Sequence, residues 1–476
     1  MKEGYIKQSD RKKILLLTDD IRVHSGVAQI GREIVMNTSH HYNWCQLAGS
    51  VKHPDKGKVQ DLSQDTNKEI GIDDAYVKLF PVDGYGNPDI LREIIKMENP
   101  DAILLITDPR YFDWVFQMED EIRSNIPIAY LNIWDDLPAP QYNEEFYESC
   151  DALFGISKQT VAINKIVLGD KAKNKVIQYV PHGLDENKFF PITKIDEEYN
   201  KFKTQITRGI EKDFILFFNS RNIRRKSIPD TIAAWKLFQD TLTEEQSKKT
   251  LFVLHTDIVS DAGTDIPSVI EYIMGDEDET VVISQNKLPY SHMNYLYNMA
   301  DACILLSSAE GWGLSLTESL LTGTPFIANV TGGMQDQMRF VDDSGNWYVN
   351  SHEIPSNQFG TYKEHGEWAL PVYPKAMGMV GSPQTPYIWD SRCDFRDAKD
   401  KIIELYKMTN VERKRKGNLG REWALGDEAG FTAVKMSNTF TTGMEKLFST
   451  WKPRNKFTFW KDTDFKPRTL NHKLEY

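Results

Sequence analysis

The chain has 476 residues, room for two or three domains, and an ordinary composition for a soluble protein, 40% hydrophobic and 26% charged. Its net charge of −12 argues against broad electrostatic attachment to nucleic acid or acidic membranes. The four cysteines, Cys45, Cys150, Cys303 and Cys393, form no C-x2-C pair and no run nears the ~18 apolar residues of a membrane span; a reduced, cytoplasmic protein is expected, without disulfide frame, zinc site or transmembrane segment.

Residues 1–12 read as a loose polar lead-in, and the first apolar run, 14–17, is too short for a secretory signal. Residues 13–18 are a predicted strand ending at Asp19 and Asp20. After a loop with Ser25 and Gly26, residues 27–36 have helical spacing, with Val27, Ile30, Ile34 and Val35 inward. Gly26 is either plain turn chemistry or a place where backbone approaches a diphosphate. A helix is predicted over 89–97 and strands over 102–107, 128–133, 152–156 and 176–180. The strand over 128–133 ends at Trp134, Asp135 and Asp136, and the last is followed by Pro181, His182 and Gly183. This alternation makes a first α/β domain over residues 1–190, with His182 read as a loop residue fixing backbone at the hinge.

A second α/β domain is expected over residues 191–440, entered through a charged helical connector at 191–212. Its first strand, 214–219, runs into a basic cluster, Arg221, Arg224, Arg225 and Lys226, ahead of a helix at 230–238. Such a cluster is either a solvated turn or the place where phosphate charge is met. Further strands are predicted at 251–255 and 280–283, and a helix within 288–299 has Met293, Leu296 and Met299 on its core face.

Residues 301–338 carry the densest signal. A short apolar strand, 302–306, leads to Glu310 on a turn before Gly311; Gly313 is a second flexible point. A helix over 314–321 is stopped by Gly323 and Pro325, and a strand over 325–330 ends at Thr331, Gly332 and Gly333. Strand, loop, helix and strand build an open parallel sheet, whose ligands bind outside the carboxyl ends of the strands. Glu310 and Glu318 then face one crevice, where carboxylates accept hydrogen bonds from hydroxyls. The helix N-terminus and the amides of Gly332 and Gly333 favour phosphate instead. A sugar nucleotide has both kinds of group.

Residues 340–390 break the alternation and are rich in aromatics, serving either as stacking surface for a sugar acceptor or as a local mini-core. An amphipathic helix is predicted over 395–408 and a last long helix over 431–448, and the tail is basic and aromatic.

The Glu-x7-Glu string EGWGLSLTE, followed by G-x-P and a T-G-G loop, resembles the donor site of retaining GT-B glycosyltransferases, especially glycosyltransferase family 4. The resemblance implies an α/β chain of two Rossmann-like domains facing each other across a cleft. The first would serve the acceptor and the second the nucleotide-sugar donor, with residues 441–476 crossing back to the first. In such enzymes an arginine after this strand and a lysine five residues later bind the diphosphate, a spacing that Arg221 and Lys226 share. Implied donor contacts are Gly26, Arg221, Lys226, Glu310, Gly311, Gly313, Leu314, Glu318, Gly332 and Gly333, with Glu318 on the ribose and Glu310 on the sugar. Many members carry a histidine at the end of a middle strand of the first domain. Here Asp135 stands in that place or contacts the acceptor.

Arg221, Lys226, Glu310 and Asp135 are the expected catalytic residues of a retaining transfer to a hydroxyl. No metal or cofactor is expected beyond the UDP-, GDP- or ADP-sugar substrate, because the cations would carry the leaving-group charge. The acceptor is open among glycan, lipid-linked glycan, small metabolite, protein and modified nucleic-acid base, the acidic charge disfavouring nucleic acid. A sugar-nucleotide epimerase of the same fold and a non-catalytic nucleotide-sugar-binding protein are the alternatives.

Overall fold

The computed structural model describes residues 4–194, 196–276, 278–285, 287–348 and 358–454. The first sheet contains β1 (Lys13–Asp19), β2 (Asn43–Ser50), β3 (Gln60–Asp61), β4 (Val77–Asp83), β5 (Ala102–Ile106), β6 (Ile128–Asn132), β7 (Ala152–Gly155) and β8 (Val176–Tyr179). Their spatial order is β3-β4-β2-β1-β5-β6-β7-β8, all parallel except the short β3. The apolar runs of β1 and β5 are buried on both faces, as a parallel sheet covered by helices requires. Ile14 and Leu16 enter one core, Leu15 and Leu17 the other.

The second sheet contains β9 (Phe214–Asn219), β10 (Thr250–His255), β11 (Val281–Ser284), β12 (Ala302–Leu305), β13 (Phe326–Asn329) and β14 (Ala369–Val372), in the order β11-β10-β9-β12-β13-β14, all parallel. An antiparallel hairpin, β15 (Pro374–Val380) with β16 (Ile388–Cys393), follows. The strand order reverses at β1 in the first sheet and at β9 in the second. The switch points therefore lie at the carboxyl ends of β1/β5 and of β9/β12, where open α/β sheets place ligands.

Several strands escaped the sequence reading, β2, β4 and β15 among them. The string NWCQLAGS of β2 carries Gln46 within its apolar run, which hides the strand pattern. Gln46 is nonetheless buried and satisfied, donating to Asp19 O (2.7 Å) and accepting from Ile21 N (3.3 Å). The strand β4 contains Pro81, and β15 is largely exposed, so neither shows a clean apolar run.

Among the described residues, two crossings between the domains run side by side. Leu184 N donates to Phe431 O (3.1 Å) and Ala433 N to Leu184 O (2.8 Å). The helix Ala433–Thr450 then lies on the first domain, where Phe440 packs against Trp44 and Phe154 and Glu445 accepts from Tyr42 (2.7 Å). Arg454 ion-pairs with Glu119 of the same domain (3.2 Å), and the expected tail from 455 onward lies outside the described residues. In the aromatic segment, Trp347 and Trp368 both pack on Trp423, while 349–357 lie outside the described residues. Among the described residues no helix is long and apolar enough to cross a membrane.

Candidate active site

The crevice of the second sheet is built from three chain segments. After β9, a 3-10 turn over Arg224–Lys226 ends at Ser227, whose φ of +51° turns the chain into the helix Ile228–Gln239. This turn sends Lys226 inward, leaving it 7% exposed and ion-paired with Glu310, which is also 7% exposed. Arg225 Nη1 donates to Glu310 Oε2 (2.7 Å) and to Ala309 O (2.6 Å), and Ser308 N donates to Arg225 O (2.8 Å). The first domain adds Asp135, whose Oδ2 is 3.6 Å from Arg225 Nε. Two cations and two carboxylates thus meet at the end of β9, one of them supplied across the domain boundary.

Burial raises the Glu310 carboxyl, but Arg225 and Lys226 more than offset that and bring it down to about 2. Glu310 is therefore a carboxylate at any ordinary pH. Burial pulls Lys226 below the usual lysine range, against the opposing attraction of Glu310.

Glu318 lies in the second turn of the helix Leu314–Thr322 and is 8% exposed. Its Oε2 accepts from Tyr297 OH and from Asn219 Nδ2 (3.0 Å), so β9 itself fixes the second carboxylate. Burial pushes this carboxyl up to about 7, with the two hydrogen bonds pulling the other way.

The domains meet main chain to main chain around this cluster. A Cβ on Gly332, whose φ is +52°, would lie 1.9 Å from Glu310 O and 2.9 Å from Asp135 O. One on Gly311 would lie 2.6 Å from Ile133 O, and one on Gly26 3.2 Å from Leu314 Cδ1. Thr331 Oγ1 donates to Asp136 Oδ2 (3.0 Å), and Asp336 accepts from Lys158 N (2.9 Å) and Tyr179 OH (3.0 Å) of the first domain.

Lys226, Glu310 and Asp135 thus share one cluster, with Gly26, Gly311, Leu314 and Gly332 at the seam beside it; Gly313 starts the helix carrying Glu318. Arg221 is exposed, and the arginine paired with Glu310 is Arg225. Gly333 departs from expectation: its amide donates to Glu310 O (2.9 Å) and shapes the loop rather than facing a phosphate. Sequence reasoning did not single out Arg225, Asn219 or Tyr297. The basic run around 224–226 marked the first, whereas the other two give no local signal. His182 is buried against Trp312 at the hinge, and burial depresses its pKa to about 3. Among the described residues no group of three or more His, Cys, Asp or Glu is placed to hold a metal ion.

Residues 200–351 match the family described as glycosyl transferases group 1. Mannosylfructose-phosphate synthase of Agrobacterium fabrum is 21% identical over 203 residues, 41% of this chain and 41% of that one, so the match spans about two fifths of the curated relative. Among solved structures, sucrose-phosphate synthase of Thermosynechococcus elongatus superposes with a TM-score of 0.65 at 14% identity, over 92% of this chain and 100% of that one. Anabaena HepE in complex with UDP and glucose gives 0.62 at 13% identity, over 92% and 100%. A glycosyltransferase from Rickettsia africae gives 0.61 at 13% identity, over 94% and 100%. Together with the two parallel sheets, these likenesses give the chain the GT-B fold of two Rossmann-like domains, with the group 1 match beginning just before the second sheet and containing the β9/β12 crevice.

Proposed function

We propose that the protein is a retaining glycosyltransferase that moves a sugar from a nucleotide-sugar to a hydroxyl acceptor. The observation that carries this reading is the contact of the buried Lys226 and the half-buried Arg225 with the buried Glu310 at the β9/β12 switch point. Ionised groups in a water-poor crevice attract a diphosphate far more strongly than solvated ones do. As the nucleoside diphosphate leaves, the new charge on its β-phosphate is met by Lys226, Arg225 and, from the exposed rim, Arg221. Glu310 steadies the two cations and accepts hydroxyls of the transferred sugar. Glu318, fixed by Tyr297 and Asn219, accepts the ribose hydroxyls.

Retention follows if the acceptor oxygen bonds the anomeric carbon on the face from which the phosphate oxygen departs. That leaving oxygen takes the acceptor's proton, so no side-chain base is required. The HepE structure in complex with UDP and glucose makes UDP-glucose the first donor to try.

The test is nucleotide release from UDP-, GDP- and ADP-glucose across an acceptor panel. Release is expected for wild type and is lost in Lys226→Ala and Glu310→Ala variants that keep their circular dichroism. Binding without release under every condition favours a binding module and overturns the proposal. An epimerised donor in place of released nucleotide points to the epimerase.

A further inference from the structure

The first sheet has its own switch-point crevice, at the ends of β1 and β5, and the donor reading leaves its aromatic floor unused. Asp19, at the end of β1, is held on both oxygens: Ser25 Oγ donates to one (2.6 Å) and Tyr85 OH to the other (2.7 Å). The Tyr85 ring lies face to face with Tyr111, centroids 4.7 Å apart and planes at 26°, and makes a T-shaped contact with Phe112 at 5.2 Å. A Cβ on Gly49, near the end of β2, would lie 2.7 Å from Gly84 O and 3.0 Å from the Tyr85 ring, so glycine there lets the Gly84–Tyr85 segment pack close. Tyr85 is thus held by its hydroxyl and by ring contacts with Tyr111 and Phe112. Tyr111, stacked on it, is 55% exposed.

The backbone that presents Tyr111 is itself unusual. Thr107, just past β5, has a φ of +144°, a conformation rarely adopted by a β-branched residue. Such strained positions persist where the surrounding structure holds them and cluster at ligand sites. Here Tyr130 OH donates to Thr107 O (2.9 Å) and anchors the turn that carries Asp108, Arg110 and Tyr111.

Both flanks of the stacked pair lead to the donor site. On one side Ser25 caps the helix Gly26–Thr38, whose first residue abuts Leu314 of the Glu310–Glu318 segment. On the other, Arg110 lies over the ring of Trp134 (5.6 Å), the neighbour of Asp135. The arginines of this rim are already paired: Arg22 with Asp20 and Asp55, Arg110 with Asp108 and with Gln384 O (2.7 Å). The crevice therefore presents an aromatic plane and carboxylates, with these two cations neutralised. An aromatic face attracts the weakly positive C–H face of a sugar ring, and a carboxylate oxygen accepts from hydroxyls, whereas a phosphate would find Arg22 and Arg110 already paired.

We infer that the Tyr85–Tyr111 stack is the acceptor platform and that the acceptor is a neutral sugar ring. The inference rests on the glycosyl-transfer reading and narrows it. It separates this chain from relatives named for sugar phosphates, mannosylfructose-phosphate synthase and sucrose-phosphate synthase.

The test measures binding without turnover, so its failure is distinct from failure of nucleotide release. Saturation-transfer NMR in the presence of UDP is run with methyl α- and β-glucosides, galactosides and mannosides, and with glucose 6-phosphate and mannose 6-phosphate. A neutral pyranoside is expected to bind wild type and to lose at least tenfold in affinity to Tyr111→Ala. Tyr111→Phe, which keeps the ring, should stay within twofold, and UDP affinity should be the same in all three proteins. The inference is overturned if a sugar phosphate binds better than its neutral counterpart, if no pyranoside binds, if a nucleoside displaces the sugar, or if Tyr111→Ala binds as wild type does.

Discussion

The two switch-point crevices lie in facing domains and are built in opposite ways. The second-domain site concentrates unlike charges, the buried Lys226 and half-buried Arg225 against the buried Glu310, with Asp135 reaching across. In the first-domain crevice, hydroxyls hold Asp19, Arg110 neutralises Asp108, and the floor is a stacked aromatic pair. On the reading proposed above, the same sheet topology prepares one site for an anion and the other for a flat, neutral surface. Topology decides where a ligand goes, and the side chains at the strand ends decide its charge.

The hardest blow to this contrast comes from removing a buried cation. Lys226→Ala should cut nucleotide release by roughly 10²–10³-fold in single-turnover assays, the usual scale for a lost transition-state charge partner. It should also lower stability by about 3 kcal/mol in urea melts, because Glu310 stays buried with one cation fewer. Release within twofold of wild type would remove the electrostatic half of the comparison.

Gly332→Ala attacks the seam rather than the charges. Its φ of +52° and the 1.9 Å approach to Glu310 O leave no room for a methyl group. A loss of about 2–3 kcal/mol in stability is expected, the scale of backbone strain combined with a clash. Calorimetric titration should show weaker UDP binding, because Glu310 and the Asp135 segment are pushed apart. Unchanged UDP affinity would mean that the seam does not shape the donor site.

The paired arginines sharpen the comparison further. Arg225→Ala should cost about 2 kcal/mol, since it strips hydrogen bonds from Glu310 and Ala309 O. Arg221→Ala, at an exposed position, should leave stability within about 0.5 kcal/mol. If Arg221 meets the diphosphate from the rim, its loss still weakens donor binding and flattens the salt dependence. A variant at 221 that binds UDP with unchanged affinity and salt slope would assign the diphosphate to Arg225 and Lys226 alone.

What could be read from the chain follows the same division. Continuous apolar strands such as β1, β5 and β9 announce themselves because burial on both faces demands unbroken runs. The turn glycines and Glu310 were legible because they sit together within one short string. Arg225 was masked by its neighbours in a basic run, where only the inward or outward turn of each side chain separates a ligand contact from a solvated charge. Asn219 and Tyr297 meet Glu318 from separate elements, 99 and 21 residues away in sequence, and no local pattern encodes such a contact. The Tyr85–Tyr111 stack joins two loops in the same way, so its pairing exists only once β4 and β5 are in place.

Glu318 gives a smaller predicted effect than the buried cation or the seam glycine, and the one most specific to burial. Its carboxyl sits at about 7 in the folded protein against an ordinary value of 4.5. Between those values the folded state keeps a proton that the unfolded chain releases, so this group's contribution to stability falls as pH rises through the window. From pH 6 to pH 8 the expected fall is about 1.4 kcal/mol, one pH unit's worth of linkage. Glu318→Gln removes the titration, so its stability relative to wild type should climb over that range in paired thermal melts. Tyr297 and Asn219 both donate to this carboxylate, which suits the ionised form to ribose hydroxyls as well. UDP should therefore bind wild type more weakly as pH drops through about 7, an effect that the glutamine variant lacks. A stability difference flat with pH would show that the buried carboxyl titrates normally, and that the donor crevice is wetter around Glu318 than around Glu310.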